Sequence, residues 1–334
     1  MKVVIPGGTG QVGALLARAL GGGGHEVVVL SRTPGRSPGP GVSRVVGWDA
    51  EADGDWGTEI DGADAVINLA GRSVDCRYTP ANRALILDSR VRSVRAVGRA
   101  IVRAARPPRV WLQMSTATIY AHRYDAPNDE ATGRLGGAEA AAPDTWRFST
   151  EVARAWEGAT HEADTPRTRK VLLRTAMVMS PDRGGVFDVL LGLVRRGLGG
   201  TSGDGRQYVS WVHETDFTRA VGALIDHPDL SGPVNLAAPN PVPNREFMRA
   251  LRAAWGARFG LPATTWMLEL GARVLRTETE LVLKSRRVVP GRLTGAGFAF
   301  AFPTWEAAAA DLCRRWRESS RGVAAAGATN PPPP

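Results

Sequence analysis

Short apolar runs alternate with longer amphipathic ones through the first half of the chain. Apolar, largely β-branched stretches fall at residues 2–5, 26–30, 64–69, 109–114 and 171–180. Between them, residues 11–20, 80–104 and 145–161 carry apolar positions at helical spacing. Strands that alternate with helices predict parallel βαβ units covered on both faces. The expected fold class is therefore α/β, a doubly wound parallel Rossmann sheet with a smaller C-terminal substrate-binding lobe. Residues 33–43, rich in Pro and Gly, read as a loop after the second strand.

The pattern changes after residue 183. Residues 184–196 look helical and 197–205 are Gly-rich; 208–212 and 232–236 read as strands, with a helix at 216–226. Further helices are predicted at 244–255, 264–275 and 305–316. The expected division is a Rossmann domain from residues 1–183 plus 209–240, and a substrate-binding lobe from 184–208 plus 241–318. Residues 319–334, Ser/Gly/Ala-rich and ending in four prolines, are expected to be a disordered tail.

Composition narrows the function classes. A chain of 334 residues, 43% hydrophobic, can bury a full core without covalent staples. Its two cysteines, Cys76 and Cys313, suggest no disulfide framework, and no metal-ligand cluster stands out. The net charge of +9 is spread along the chain and interrupted by acidic residues. With no groove-reading or base-stacking motif beside it, nucleic acid is not an expected partner. No leader pattern opens the chain and no apolar run is long enough to span a bilayer, so the expectation is a cytoplasmic monomer or homodimer acting on a small molecule.

The chemistry begins at Gly7-Gly8-Thr9-Gly10-Gln11-Val12-Gly13. Glycines at this spacing, after a strand and opening a helix, suit a turn whose backbone must approach a pyrophosphate. The helix that follows aims free N–H groups at the phosphates. The second strand ends in Leu30-Ser31-Arg32, where an acidic residue would favour NAD. A hydroxyl and a guanidinium favour a 2′-phosphate instead, so the expected cofactor is NADP(H), held by Gly7, Gly10, Gln11, Val12, Gly13, Ser31 and Arg32.

Further pieces are Asn68-Leu69-Ala70-Gly71, Asp88-Ser89-Arg90-Val91, Trp156-Glu157, Arg195-Arg196-Gly197-Leu198-Gly199-Gly200, Ser210-Trp211-Val212-His213 with Asp216, and the stretch from Pro290 to Phe298. In this order, over nearly the whole chain, they resemble the atypical extended short-chain dehydrogenase/reductases called epimerase family proteins. The resemblance implies that Leu69, Ala70 and Gly71 line the adenosine and pyrophosphate, that Arg90 reaches toward the cofactor phosphates, and that Val178 lies near the nicotinamide. It also implies structural roles for Trp211 and His213.

Ordinary members carry Tyr-x-x-x-Lys on the helix before the sixth strand, a spacing that puts both groups on one helical face. None of Tyr78, Tyr120, Tyr124 and Tyr208 has Lys at the fourth position after it. Matching Trp156-Glu157 to the helix end places Ser149 and Ala153 where the pair would stand. The candidate catalytic groups that remain are Ser115, as a neutral donor to a substrate carbonyl, and Tyr120, each equally readable as a packed, satisfied side chain. Without the pair, hydride transfer needs a proton from water or from the substrate, which a ketone flanked by an acidic phenol can supply. In this respect the chain resembles atypical ketoreductases of the simocyclinone type. The expectation is NADPH-dependent reduction of a bulky aromatic polyketide-like ketone, with Trp211, Trp255, Trp266, Phe298, Phe300, Phe302 and Trp305 as candidate walls for a flat ligand. The alternatives are a nucleotide-sugar epimerase or dehydratase, and a non-catalytic NADP-binding sensor.

Overall fold

A computed structural model describes residues 1–35, 38–139, 142–275 and 278–327. Its centre is a seven-stranded sheet, every pairing parallel. The strands are β1 (Lys2–Pro6), β2 (Glu26–Ser31), β3 (Arg44–Gly47), β4 (Ala65–Asn68), β5 (Val110–Thr116), β6 (Arg169–Thr175) and, after three short strands outside the sheet, β10 (Gly232–Leu236). Their order is β10-β6-β5-β4-β1-β2-β3. The chain winds outward from β1 to β3, then returns to β4 on the other side of β1. That reversal opens a crevice at the carboxyl ends of β1 and β4, the place where such sheets take ligands.

Alternation along each strand feeds two cores. Val3 and Ile5 face α1 (Gln11–Gly22) and, across the same face, Phe217, Val221 and Leu224 of a later helix. Val4, Val28 and Trp111 of β5 face α2 (Pro80–Arg103) and α3 (Asp144–Glu162) through Val94, Val97 and Trp156. α2 starts where sequence places it because the Thr79 side chain accepts from Asn82 N and Pro80 sits in the first turn.

Two departures from the sequence pattern matter. β3 was not foreseen: it is an edge strand whose residues are only half-buried or exposed, so its apolar signal is weak. The run at 171–180 is not one strand. Ala176 N still donates to Leu236 O of β10, but Met177 N donates to Ser210 O, so the chain changes partners within one residue. β7 (Met177–Met179) then leaves the main sheet. The next elements are α4 (Val186–Arg195), β8 (Tyr208–Val209), β9 (Trp211–His213) and α5 (Glu214–Asp226). β7 pairs in parallel with β9. His213 N-caps α5, its Nδ1 accepting from Thr215 N at 3.1 Å, which gives this buried histidine a structural task.

After β10 come β11 (Val242–Pro243), α6 (Asn244–Trp255), α7 (Thr265–Leu275), α8 (Glu280–Leu283), α9 (Gly291–Gly295) and α10 (Trp305–Gly327). α4, α6 and α10 enclose a separate core around Phe187, Trp211, Phe247, Trp305 and Leu312. The Phe247 and Trp305 rings stack at 3.9 Å, and Trp305 Nε1 donates to Phe247 O at 2.8 Å. This corrects the expectation of an aromatic wall. Trp211 and Trp305 are fully buried in this core, with Trp255 and Phe302 packed against it; Phe298 and Phe300 pack on the core beneath α5, and Trp266 is exposed. α10 also continues past residue 319, where a disordered tail was expected. Its Ala-rich end is strongly helix-forming. The proline run lies outside the described residues. Among the described residues no helix is long and apolar enough to cross a membrane.

Truncating the stacked ring tests this second core. Trp305→Ala is expected to cost about 3–5 kcal/mol, read as a lowered urea midpoint; an unchanged midpoint would mean that the lobe contributes nothing to the cooperative unit.

Candidate functional site

The turn after β1 is built by close backbone approach. Gly7 has φ +76°, and a Cβ there would lie 2.8 Å from Ala70 Cα. A Cβ on Gly13 would lie 2.4 Å from Gly8 O, so the first turn of α1 rests directly on the loop. Gly10 differs: the nearest atom to an added Cβ is Gly7 O at 3.6 Å, ordinary contact distance. The protein leaves that position open. α1 has no side-chain cap and no acidic residue in its first turn, so its N-terminal N–H groups and positive dipole end are uncompensated. Gln11 reaches the other wall: a Cβ on Gly185 would collide with its amide. Val12 packs on the core beneath.

A cleft of about 730 Å³ opens here, lined by Gly7, Thr9 and Gly10, by Ser31 at the end of β2 and Arg32 just after it, by Leu69, Ala70 and Gly71, and by Asp88 and Arg92 of α2. Ser31 is buried, and its hydroxyl accepts from Thr33 N at 3.2 Å, shaping the turn that carries Arg32. Arg32 is exposed at the cleft and has no ion pair among the described residues. The neighbouring cation Arg92 is already paired with Glu51 at 2.9 Å and Asp88 at 3.5 Å. Asn68 shapes the opposite rim, its Oδ1 accepting from Ala70 N and its Nδ2 donating to Gln113.

Arg90 lies beneath that rim and outside the cleft lining. It donates to Arg72 O and Ile86 O, each at 3.0 Å, stacks over Trp156 at 4.8 Å, and abuts Gly71. Burial pulls its pKa down to about 10. Its guanidinium braces the loop, where the resemblance implied direct reach toward phosphate. Val178 stands in β7, half-buried against the sheet core and opposite Val212.

The two catalytic candidates are committed elsewhere. Ser115 donates to Glu157 Oε1 at 2.6 Å and is 2% exposed. Glu157 also accepts two bonds from Arg174, at 2.9 and 2.8 Å. Arg174 donates a third bond, at 3.0 Å, to the Tyr120 hydroxyl, which donates to Asn235 Oδ1 at 2.9 Å. The chain Ser115–Glu157–Arg174–Tyr120–Asn235 is buried throughout. Ser115 and Tyr120 therefore face inward here, with both hydroxyls engaged by protein partners. Strand alternation is the reason: Ser115 points to α3, while the next residue, Thr116, is half-exposed at the strand end. The signal that could have shown this was an arginine within the apolar run of β6 together with Glu157, since a buried charge requires a partner.

A second polar cluster forms where the Tyr-x-x-x-Lys pair would stand. The Ser149 hydroxyl donates to Glu280, reaching from α3 into the lobe. Lys284 Nζ donates to Thr118 O at 2.8 Å and lies 3.7 Å from Glu280; Arg286 Nε donates to Thr118 Oγ1 at 3.2 Å. Tyr78, on the loop before α2, packs its ring edge-on against Phe148 of α3 at 5.1 Å. Beside this cluster is a polar cavity of about 580 Å³ whose walls include Arg77, His122, Tyr124, Trp146, Asp204, Glu269 and Glu278. Sequence reasoning missed Tyr78, Glu280, Lys284 and Arg286 as site residues, because they come from segments far apart in the chain and share no motif spacing.

Burial pulls Lys284 down to about 8 from its ordinary 10.5 and pushes Glu280 up. Below pH 8 the lysine is charged in both states and its burial penalty is fully present. Between about pH 8 and 10.5 the unfolded chain holds a proton that the folded chain has released, so this residue makes stability rise with pH. Wild-type stability relative to Lys284→Met is therefore expected to increase across that window in paired denaturation curves; a constant difference would refute the assignment.

Comparison with known proteins agrees with this architecture. Residues 3–237 match the NAD dependent epimerase/dehydratase family, and residues 263–312 match a domain of unknown function, DUF1731. The human epimerase family protein SDR39U1 is 29% identical over 315 residues, covering 93% of this chain and 99% of the human protein. The Mycobacterium leprae epimerase family protein ML0860 is 31% identical over 303 residues, covering 89% and 91%. A crystal structure of human SDR39U1 (isoform 2) with NADPH superposes with a TM-score of 0.80 at 28% identity, covering 94% of this chain and 99% of that one. With its parallel sheet, its glycine turn and its crevice at the strand reversal, the chain belongs to the NAD dependent epimerase/dehydratase family.

Proposed function

We propose that this protein binds NADPH in the cleft at the strand reversal and uses it to reduce a ketone. The observation that carries the reading is Arg32: an exposed guanidinium with no ion pair among the described residues, at the end of β2, beside the open position at Gly10. The fit is chemical as well as spatial. The N-terminus of α1 and the turn at Gly7 and Gly10 would hold the pyrophosphate. Arg32, on the turn that Ser31 shapes, would hold the 2′-phosphate bidentately. Leu69, Ala70 and Gly71 would cover the adenosine and pyrophosphate, and Val178 would lie near the nicotinamide. When bound, the reduced nicotinamide supplies the hydride. That human SDR39U1 is seen with NADPH supports the same use of this cleft.

The polar cavity supports a substrate rich in hydroxyl groups. Its lining holds cations and carboxylates together with two aromatic rings, Tyr124 and Trp146. A hydroxylated aromatic ketone of polyketide type meets this chemistry through its phenols and stacks on few rings. A sugar-nucleotide epimerase or dehydratase relies on the Tyr/Lys pair for its oxidation step, and Ser149 and Ala153 stand at those positions.

Arg32→Ala is expected to raise the NADPH dissociation constant by roughly 10–100-fold, the worth of hydrogen bonds to a charged group, while leaving NADH affinity unchanged. Calorimetric titration of both nucleotides checks this, and equal losses would remove the 2′-phosphate assignment. NADPH oxidation measured with hydroxylated quinone ketones and with sugar-like carbonyls then tests the reduction itself.

A further inference from the structure

We propose that His122 is the hydrogen-bond donor that recognises the substrate in the polar cavity, offering Nε2–H to a carbonyl oxygen on a ring that also carries hydroxyl groups. The inference rests on the reading above, which places the substrate in that cavity. His122 stands on the loop that follows β5, half-buried in the cavity wall. Its Nδ1 accepts from Ser285 N at 2.8 Å. A backbone amide can only donate, so Nδ1 carries no hydrogen there and the neutral ring holds its one N–H at Nε2. Among the described residues Nε2 has no hydrogen-bond partner. The edge of the ring bound to Ser285 is thus spent on the fold, and the opposite edge is left for a guest.

The ring is held in this pose. Tyr124 stands edge-on to it at 5.0 Å, and Trp146 of α3 lies tilted against it at 4.9 Å. The His122 backbone N donates to Glu139 Oε1 at 3.0 Å. Turning the ring over would set a C–H against Ser285 N and leave the amide of a fully buried residue without its acceptor. Protonation would put a hydrogen on Nδ1 and break the same bond. Burial and the cations Lys284 and Arg286 of the lobe also disfavour the charged ring and outweigh Glu139 and Asp204, which favour it. His122 therefore offers a donor of fixed direction and no spare proton; it orients the substrate and does not act as the acid.

The rest of the wall supplies the complement. Asp204 and Glu269 line the cavity as exposed carboxylates with no ion pair among the described residues, and a carboxylate can only accept. Gln207 is already committed, its Nε2 donating to Ser202 O and Val282 O. A fixed donor among acceptors fits a carbonyl flanked by hydroxyl groups: the carbonyl oxygen accepts from His122 and the hydroxyls donate to the carboxylates. Trp146 and Tyr124 offer ring surface beside the same donor. A ligand that lacks the acceptor leaves the Nε2–H shielded from water and unpaired, which is the basis of discrimination here.

The experiment uses substitutes for opposite halves of the ring. His122→Asn keeps an acceptor at the place of Nδ1 and loses the far donor; His122→Gln keeps a donor near the place of Nε2 and loses the near acceptor. A hydroxylated naphthoquinone is titrated calorimetrically into each protein with NADP present, and KM and kcat are measured with NADPH. His122→Asn is expected to weaken quinone binding and raise KM by about 5–10-fold, the worth of one hydrogen bond, with kcat and NADPH affinity within about twofold of wild type. His122→Gln is expected to bind the quinone within about twofold of wild type. The reverse ranking, with Asn equal to wild type and Gln weaker, shows a histidine that serves Ser285 alone and overturns the proposal; so does unchanged binding in both variants. Where both variants weaken binding, or one fails to fold, magnetic resonance of the wild-type imidazole nitrogens decides. The His122 ring is expected in the Nε2–H form at neutral pH, with that signal shifted by saturating quinone; an Nδ1–H form or an unmoved signal overturns the proposal. A wild type that binds the quinone in this way and does not reduce it overturns the reductase reading and leaves His122 in its role. A wild type that binds no hydroxylated quinone overturns the role itself.

Discussion

The buried ion pair between Glu157 and Arg174 is the constraint around which the site is arranged. It joins α3 to β6 with two parallel hydrogen bonds, both side chains being under 10% exposed. Removing two charges from water costs several kcal/mol per ion, and only near-complete satisfaction offsets this. Ser115 fills one remaining acceptor position on Glu157, and Tyr120 takes the third guanidinium bond and passes it to Asn235 on β10. Neighbouring strands and a helix are thus locked in one geometry. Its value lies in specifying an arrangement more than in net stability, since an apolar replacement of equal volume would often be as stable.

A separate set of hydrogen bonds ties the lobe to the sheet. Asn128 N donates to Arg287 O, Ser285 N donates to His122 Nδ1, and Ser210 Oγ donates to Arg286 O. The stretch from Glu278 to Val289 therefore crosses the carboxyl ends of β5 and β10 as a strap, bringing Glu280, Lys284 and Arg286 to Ser149 and Thr118. Polar chemistry at this site comes from tertiary assembly and owes little to any single segment.

The limits of sequence reading follow from the same physics. The α/β alternation, the glycine turn and Arg32 were legible because each is local: strand period, left-handed backbone at Gly7 and the residue ending β2 are fixed within a few positions. The inward aim of Ser115 and Tyr120 was not legible, because it depends on partners 42 and 115 residues distant. The break after β6 was hidden by its apolar continuity, since Met177, Val178 and Met179 serve a second sheet as well as they would the first. The large rings of the second half were ambiguous from sequence, and the lobe's own core claims Trp211 and Trp305.

Three of the four glycines of the opening turn, Gly7, Gly10 and Gly13, embody two kinds of selection. Gly7 and Gly13 have no room for a methyl group because backbone already fills the space, so the folded chain enforces them with or without a guest. Gly10 has room, and nothing in the polypeptide demands its bareness. What keeps it bare has to come from outside the chain, and a descendant that had abandoned nucleotides would be free to grow a side chain there while its neighbours stayed as they are.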